Sequence, residues 1–235
     1  MKRMTTVLVM FSAVGIAACQ NANNEQAASE QMPAASEPAE TMPQENAPAA
    51  QPQAQEPQTT TEQSLMTEPQ WVTLFGGKDL SAFTKVGDAN WMITDGYVEA
   101  DSGTGFLVTP GSYTNFRIQV EFWTSPDANS GVFLRCDNTD DISADTCYEV
   151  NIFDQRPDQA YRTGAIVGVA EPTAQIDAAN QWNTYDITAE GSHLTVTLNG
   201  TQTVDVENDQ HMSGPIALQY SAGTVRFRSV KLRPL

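Results

Sequence analysis

The segment Leu194-Thr195-Val196-Thr197-Leu198-Asn199-Gly200-Thr201-Gln202-Thr203-Val204-Asp205-Val206 decides the fold class. Apolar and polar residues alternate through 194–198 and again through 201–206, the period-2 signature of half-buried strands. Asn199-Gly200 between them suits a type I′ turn, which needs φ > 0 at both central positions. Outward from this hairpin the signature recurs in short runs near 71–75, 91–99, 105–109, 115–124, 130–136, 147–154, 163–169, 182–189, 192–198, 201–206, 215–220 and 224–233. Asp95-Gly96 and Ser213-Gly214 are further turn signals. No long helical periodicity interrupts the series, and one short helical candidate covers 77–83. So many antiparallel strands predict an all-β domain, a two-sheet antiparallel jelly-roll sandwich.

The chain opens with Lys2 and Arg3, an apolar run over 7–18 and then Cys19. A basic start, a short apolar run and small residues before the cut describe a bacterial secretory signal over 1–18. The run is too short for a comfortable membrane span. Ile16-Ala17-Ala18-Cys19 resembles the lipobox of bacterial lipoproteins, which implies a lipid on Cys19 and attachment to the membrane through that anchor. Gln20 follows the cysteine in place of Asp; in a Gram-negative cell this resemblance implies the outer membrane, with the protein facing the periplasm or cell surface. Residues 19–68 are rich in Ala, Gln, Glu and Pro, and 20–68 hold eight Glu and no Lys or Arg. Such a stretch cannot bury enough apolar surface to offset the entropy of ordering. A disordered tether is expected, followed by one domain over 69–235.

Net charge is −17, and no basic stripe stands out, so nucleic acid is not an expected partner. No Ser–His–Asp arrangement, phosphate loop or nucleotide fingerprint occurs. His193 and His211 have no free Cys to complete a zinc set. Asp137, Asp140, Asp141 and Asp145 crowd one loop, and calcium is the cofactor they would suit. Their spacing follows no known calcium loop, so no cofactor is expected. With Cys19 lipidated, Cys136 and Cys147 remain in an oxidising compartment. A disulfide between them would close a loop of about twelve residues and contribute ~3 kcal/mol by chain entropy. The alternative is two free buried thiols.

Two segments carry polarity that a strand rarely shows: Asn129-Ser130-Gly131-Val132-Phe133-Leu134-Arg135-Cys136 and Cys147-Tyr148-Glu149-Val150-Asn151-Ile152-Phe153-Asp154. Alternation puts Gly131, Phe133 and Arg135 on one face, and Glu149, Asn151 and Phe153 on one face of the next strand. Val132, Leu134, Val150 and Ile152 point the other way, into the core. If the polar faces coincide, Arg135, Glu149 and Asn151 share a surface. A parity conflict accompanies this reading. Cys147 shares the face of Glu149, whereas Cys136 opposes Arg135. Either the cysteines lie beyond the regular ladder, or a bulge intervenes, or the shared surface is wrong.

In the run 117–123, Ile118, Val120 and Phe122 are core residues, which leaves Glu121 and Trp123 on the opposite face; Gln219 joins that surface by alternation with Leu218. A Trp ring offers a flat plate to a sugar, while carboxylates and amides bind hydroxyls. Glu121, Trp123, Asn151 and Gln219 are therefore candidate carbohydrate-binding residues. Glu149, Asp154 and Arg135 are candidates for chemistry. Acid–base catalysis needs a carboxyl group shifted by burial or a neighbour, and a guanidinium can stabilise an oxyanion. The plainer readings are an Arg117–Glu121 cross-strand pair, a packed Trp123, a buried Arg135–Glu149 pair and an Asp154 that ends its strand.

The stretches Leu74-Phe75-Gly76-Gly77-Lys78-Asp79-Leu80-Ser81, Trp91-Met92-Ile93-Thr94-Asp95-Gly96, Thr163-Gly164-Ala165, Gln181-Trp182-Asn183, Gly214-Pro215-Ile216-Ala217-Leu218-Gln219 and Val225-Arg226-Phe227-Arg228 flank the two polar strands in a fixed order. In that order, over 71–235, the chain resembles a bacterial family of concanavalin A-like sandwiches, the 3-keto-disaccharide hydrolases, formerly a domain of unknown function. The resemblance implies cleavage of glycosides oxidised at C3; for that chemistry the expected roles are Glu149 as base, Arg135 as enolate stabiliser and Asp154 as leaving-group acid or supporting residue. There are departures. Tyr220-Ser221 follows the Leu-Gln pair where the family often has His, Asn151 stands for Gln, and Ser229 stands for Asn. The missing His keeps open a non-catalytic glycan-binding or envelope-scaffold module of the same fold.

Overall fold

The computed structural model describes residues 69–235. The expected signal segment, Cys19 and the tether to residue 68 lie outside the described residues. Thirteen strands form in chain order: β1 Val72–Phe75, β2 Thr84–Gly87, β3 Met92–Thr94, β4 Tyr97–Ala100, β5 Gly105–Val108, β6 Phe116–Thr124, β7 Asn129–Leu134, β8 Tyr148–Ile152, β9 Trp182–Glu190, β10 His193–Leu198, β11 Thr201–Glu207, β12 Ala217–Ala222 and β13 Val225–Pro234. One 3₁₀ turn covers Gln159–Tyr161.

The strands make two antiparallel sheets. One has eight strands in the order β11-β10-β9-β6-β13-β4-β3, with β1 also paired to β13; the other has five, β2-β5-β12-β7-β8. Alternation assigns each strand its buried face. In β6, Phe116, Ile118, Val120, Phe122 and Thr124 are buried while the residues between them are partly exposed. The inward rows of both sheets meet in one core that includes Ile118, Val120, Phe122, Val132, Leu134, Val150, Ile152, Leu218 and Phe227. Burying such side chains contributes roughly 1.5–3 kcal/mol each.

The Asn199-Gly200 hairpin forms as expected, with φ of 50° and 82° at its two turn residues and strands β10 and β11 paired across it. Three expectations change. The run 91–99 is two strands, β3 and β4, folded about Asp95 and Gly96, both at positive φ. The 77–83 stretch is not helical; Gly77 sits at φ 83°, a left-handed position that ends helical propagation. The run 163–169 is a loop laid along the free edge of β8. There Gly164 N–H donates to the Asn151 carbonyl (3.1 Å), Asn151 N–H to Ala165 (3.0 Å) and Val167 N–H to Glu149 (3.0 Å). Positive φ at Gly164 and Gly168 prevents a regular ladder.

Candidate functional site

The outer face of the five-stranded sheet is built from alternate residues of β5, β12, β7 and β8. In one cross-strand row Phe106 pairs with Gln219, Gln219 with Gly131, and Gly131 with Asn151. The adjacent row pairs Val108 with Ala217, Ala217 with Phe133, and Phe133 with Glu149. Glu149, Asn151 and Gln219, three of the residues singled out in the sequence, thus share one surface. A Cβ on Gly131 would lie 3.2 Å from Phe133 Cε2, 3.3 Å from the Val150 carbonyl and 3.4 Å from Glu149 Cγ. Glycine therefore keeps the floor between the two amides low and leaves Glu149 uncrowded. Phe106 meets Phe133 edge to face at 5.4 Å.

The surface is rich in unused acceptors. Asn151 Nδ2 donates to the Tyr161 carbonyl at 2.5 Å, while Asn151 Oδ1 and Gln219 Oε1 are buried with no hydrogen-bond partner. Leaving such atoms unpaired is costly, so each is an invitation to a donor. Glu149 is 9 % exposed. Burial raises its carboxyl pKa to about 7, opposed by the positive charge of Arg156. Ser221 lies on the same face, with Asn129 Nδ2 at 3.5 Å from its hydroxyl.

Arg135 is not on this surface. β7 ends at Leu134, and Arg135 takes φ 51°, which turns its side chain off the ladder. The fully buried guanidinium donates from Nε to the Thr114 carbonyl (2.8 Å) and from Nη1 to those of Gly191 (2.8 Å) and His211 (3.3 Å). It thereby ties together three connecting segments, and no Arg135–Glu149 ion pair exists. The same turn resolves the parity conflict. With Arg135 rotated out, Cys136 reaches Cys147 beyond the ladder and the disulfide forms. Both cysteines pack with Val108, Phe133 and Ala217, and Ile142 of the inter-cysteine loop closes over them.

Asp154 likewise takes a different place. Its Oδ1 accepts from the Thr163 hydroxyl (2.5 Å), and its Oδ2 from the backbone N–H groups of Ala178 (2.8 Å) and Ala179 (3.0 Å). Arg162 Nη2 stands 3.9 Å away. These bonds anchor the loop after β8 and occupy both oxygens of the Asp154 carboxylate.

Glu121 and Trp123 lie on the outer face of the other sheet, the opposite side of the sandwich from Gln219. Glu121 pairs with Arg228 at 2.5 Å, Arg117 with Asp186, and the Arg226 guanidinium covers the Trp123 ring at 4.3 Å. The misplacement has a simple cause. Alternation tells which residues avoid the core, but a sandwich has two such faces. Asp137, from the acidic loop, is engaged by His211 Nδ1 at 2.6 Å, and His193 pairs with Asp205 at 2.8 Å. Among the described residues no three His, Cys, Asp or Glu side chains gather as metal ligands.

Arg156 is the feature that sequence reading passed over, and Gly131 was placed on this face without its role as a low floor. Arg156 follows the polar strand closely and precedes Pro157, a loop signal beside a lone basic residue. Gly131 was visible only as a gap in an alternating strand.

The sequence model of the 3-keto-alpha-glucoside-1,2-lyase-like domain matches residues 70–233. Two solved structures of candidate glycosyl hydrolases from Parabacteroides distasonis ATCC 8503 are similar. One has TM-score 0.63 and 19 % identity over 70 % of this chain and 94 % of that one; the other has TM-score 0.60 and 25 % identity over 71 % and 100 %. The carbohydrate-binding module CBM66 from Bacillus subtilis has TM-score 0.53 and 19 % identity over 65 % and 95 %, a likeness of fold alone. No curated protein matches the chain.

Proposed function

Since the chain belongs to the 3-keto-alpha-glucoside-1,2-lyase-like domain family, we propose that it is a lipid-anchored protein that cleaves the glycosidic bond of 3-keto-disaccharides or related glycosides. The observation that carries the proposal is Glu149: a buried, unpaired carboxyl group, with pKa raised to about 7 by burial, on a surface lined with unused acceptors. A base with pKa near the working pH combines a useful ionised fraction with proton affinity. A ketone at C3 acidifies the C2 proton, and the glycosidic oxygen on C1 is β to that ketone. Glu149 takes the C2 proton, and the C–H electron pair forms an enolate. Collapse of the enolate makes a C1–C2 double bond and breaks the C1–O bond; the leaving oxygen takes a proton from solvent, to which Glu149 later returns its own. Water then adds across the double bond. Asn151 Oδ1 and Gln219 Oε1 would accept hydrogen bonds from sugar hydroxyls and hold the ring over Gly131.

A second reading has its own observation. Ser221 occupies this face where the family often carries His nearby, and neither His193 nor His211 is on it. A glycan-binding module would need the acceptors but not the base. The test is to incubate the purified protein with a 3-keto-disaccharide and with its unoxidised parent. Monosaccharide released from the ketone alone supports cleavage; binding of both sugars without turnover supports the module.

A further inference from the structure

The acceptor-rich surface around Glu149 lacks a group to stabilise negative charge, and the proposed reaction generates it. When the C2 proton leaves, the carbonyl electron pair moves onto the C3 oxygen. Asn151 already spends its Nδ2 on Tyr161, and Gln219 can offer only a neutral N–H.

The loop after β8 brings a cation to this point. It folds back over the outer face of its own strand, because Asn151 Nδ2 holds the Tyr161 carbonyl. At the near end a turn closes from Arg156 N–H to the Phe153 carbonyl (3.3 Å). Gln159 Nε2 clamps that turn through the carbonyls of Arg156 (2.5 Å) and Asp154 (3.2 Å). The Asp154 carboxylate fixes its base to Thr163, Ala178 and Ala179. The half-buried Arg156 is thus carried on an anchored loop, and it is the charged neighbour felt by Glu149.

Arg156 is also uncommitted. Among the described residues, Arg117, Arg162, Arg226 and Arg228 have carboxylate partners, Arg135 has three carbonyls, and Arg233 lies over Trp71. The Arg156 guanidinium makes neither a hydrogen bond nor an ion pair. In a chain of net charge −17, a positive group left unneutralised beside three unused acceptors is out of keeping with its surroundings.

We propose that Arg156 is the cationic group of this site and stabilises the negative charge that forms beside Glu149, including the C3 enolate oxygen. The enolate part rests on the cleavage reaction proposed above; the location of the cation rests on the loop. The guanidinium offers N–H groups in a fixed fork, suited to an oxyanion. As the C1–O bond breaks, the charge leaves the enolate oxygen for the departing one, and the guanidinium is freed.

The experiment compares the full-length protein with Arg156→Gln and Arg156→Lys. For turnover of a 3-keto-disaccharide, kcat should fall about 10²–10³-fold in R156Q, the usual effect of losing an oxyanion donor, with KM nearly unchanged and part of the rate kept in R156K. The acid limb of the pH–rate profile should move to higher pH in R156Q, because the charge that favours ionised Glu149 is gone; Phe133, the cross-strand partner of Glu149, does not titrate. An unchanged kcat, or a loss confined to KM, overturns the enolate role. Titration of the Glu149 carboxyl by carbon NMR needs no substrate. An alkaline shift in R156Q supports Arg156 as the site's cation even if no keto-disaccharide is cleaved, an outcome that overturns the reaction instead. No shift overturns Arg156.

Discussion

Burying a carboxyl group without a partner penalises only its charged form, so Glu149 ties stability to pH. Its pKa rises from 4.5 to about 7 on folding. Below pH 4.5 the group is protonated in both states and contributes nothing. Between 4.5 and 7 the unfolded chain gives up the proton first, and stability falls as pH rises. Above 7 the penalty is complete, of the order of 3 kcal/mol. Glu149→Gln should therefore raise stability at pH 8 and leave it nearly unchanged at pH 4, while turnover falls about 10²–10⁴-fold. Melting curves at both pH values and activity on the same preparation check this; equal stabilisation at both pH values would contradict the burial argument. Arg135 predicts the reverse pattern. Arg135→Met strands the carbonyls of Thr114 and Gly191, and should cost about 3 kcal/mol or more. The folded fraction should keep its activity, since the guanidinium does not touch the Glu149 surface. A stable but inactive variant would return Arg135 to the chemistry.

Strands and turns were the most legible elements. Alternation located nearly every strand of the domain, and Asn199-Gly200 announced its own hairpin geometry, because two left-handed positions in sequence admit few residues. Segments whose conformation is set by partners were not legible. Residues 163–169 read as a strand, yet their glycines turn them into an edge cover for β8. The cysteine parity looked contradictory until one residue, Arg135, left the ladder. The disulfide belongs to this scale. It closes the acidic loop over Phe133 and Ala217, and replacing Cys136 and Cys147 together by Ala should cost ~3 kcal/mol. Intact-mass analysis with alkylation should find no free thiol before reduction and two after it. Two thiols alkylated in the native, unreduced protein would exclude the bond.

For the molecule as a whole, the described residues 69–235 form one sandwich. The working face proposed for it is that of the five-stranded sheet; the opposite face is covered by arginines paired with carboxylates and stacked on Trp123 and Trp182. The proposed lipid on Cys19 would confine this domain to a membrane surface within reach of its tether. Cys19→Ala should move the protein from the membrane to the soluble fraction without changing its melting temperature. A variant that stays in the membrane and still takes up labelled lipid would rule out this anchor.

The sequence by itself determined the all-β class, the core-facing residues and the outward direction of Glu149, Asn151 and Gln219. All of these follow from local rules: a side chain in a strand alternates, and an Asn-Gly pair turns. The tertiary structure alone decided which outward faces coincide. It placed Glu121 and Trp123 across the sandwich from Gln219, gave Arg135 and Asp154 to the loops they hold, and folded the loop after β8 so that the charge of Arg156 acts on Glu149. Those outcomes depend on strand order and loop hydrogen bonds between residues far apart in the chain, and periodicity within a single strand carries no information about either.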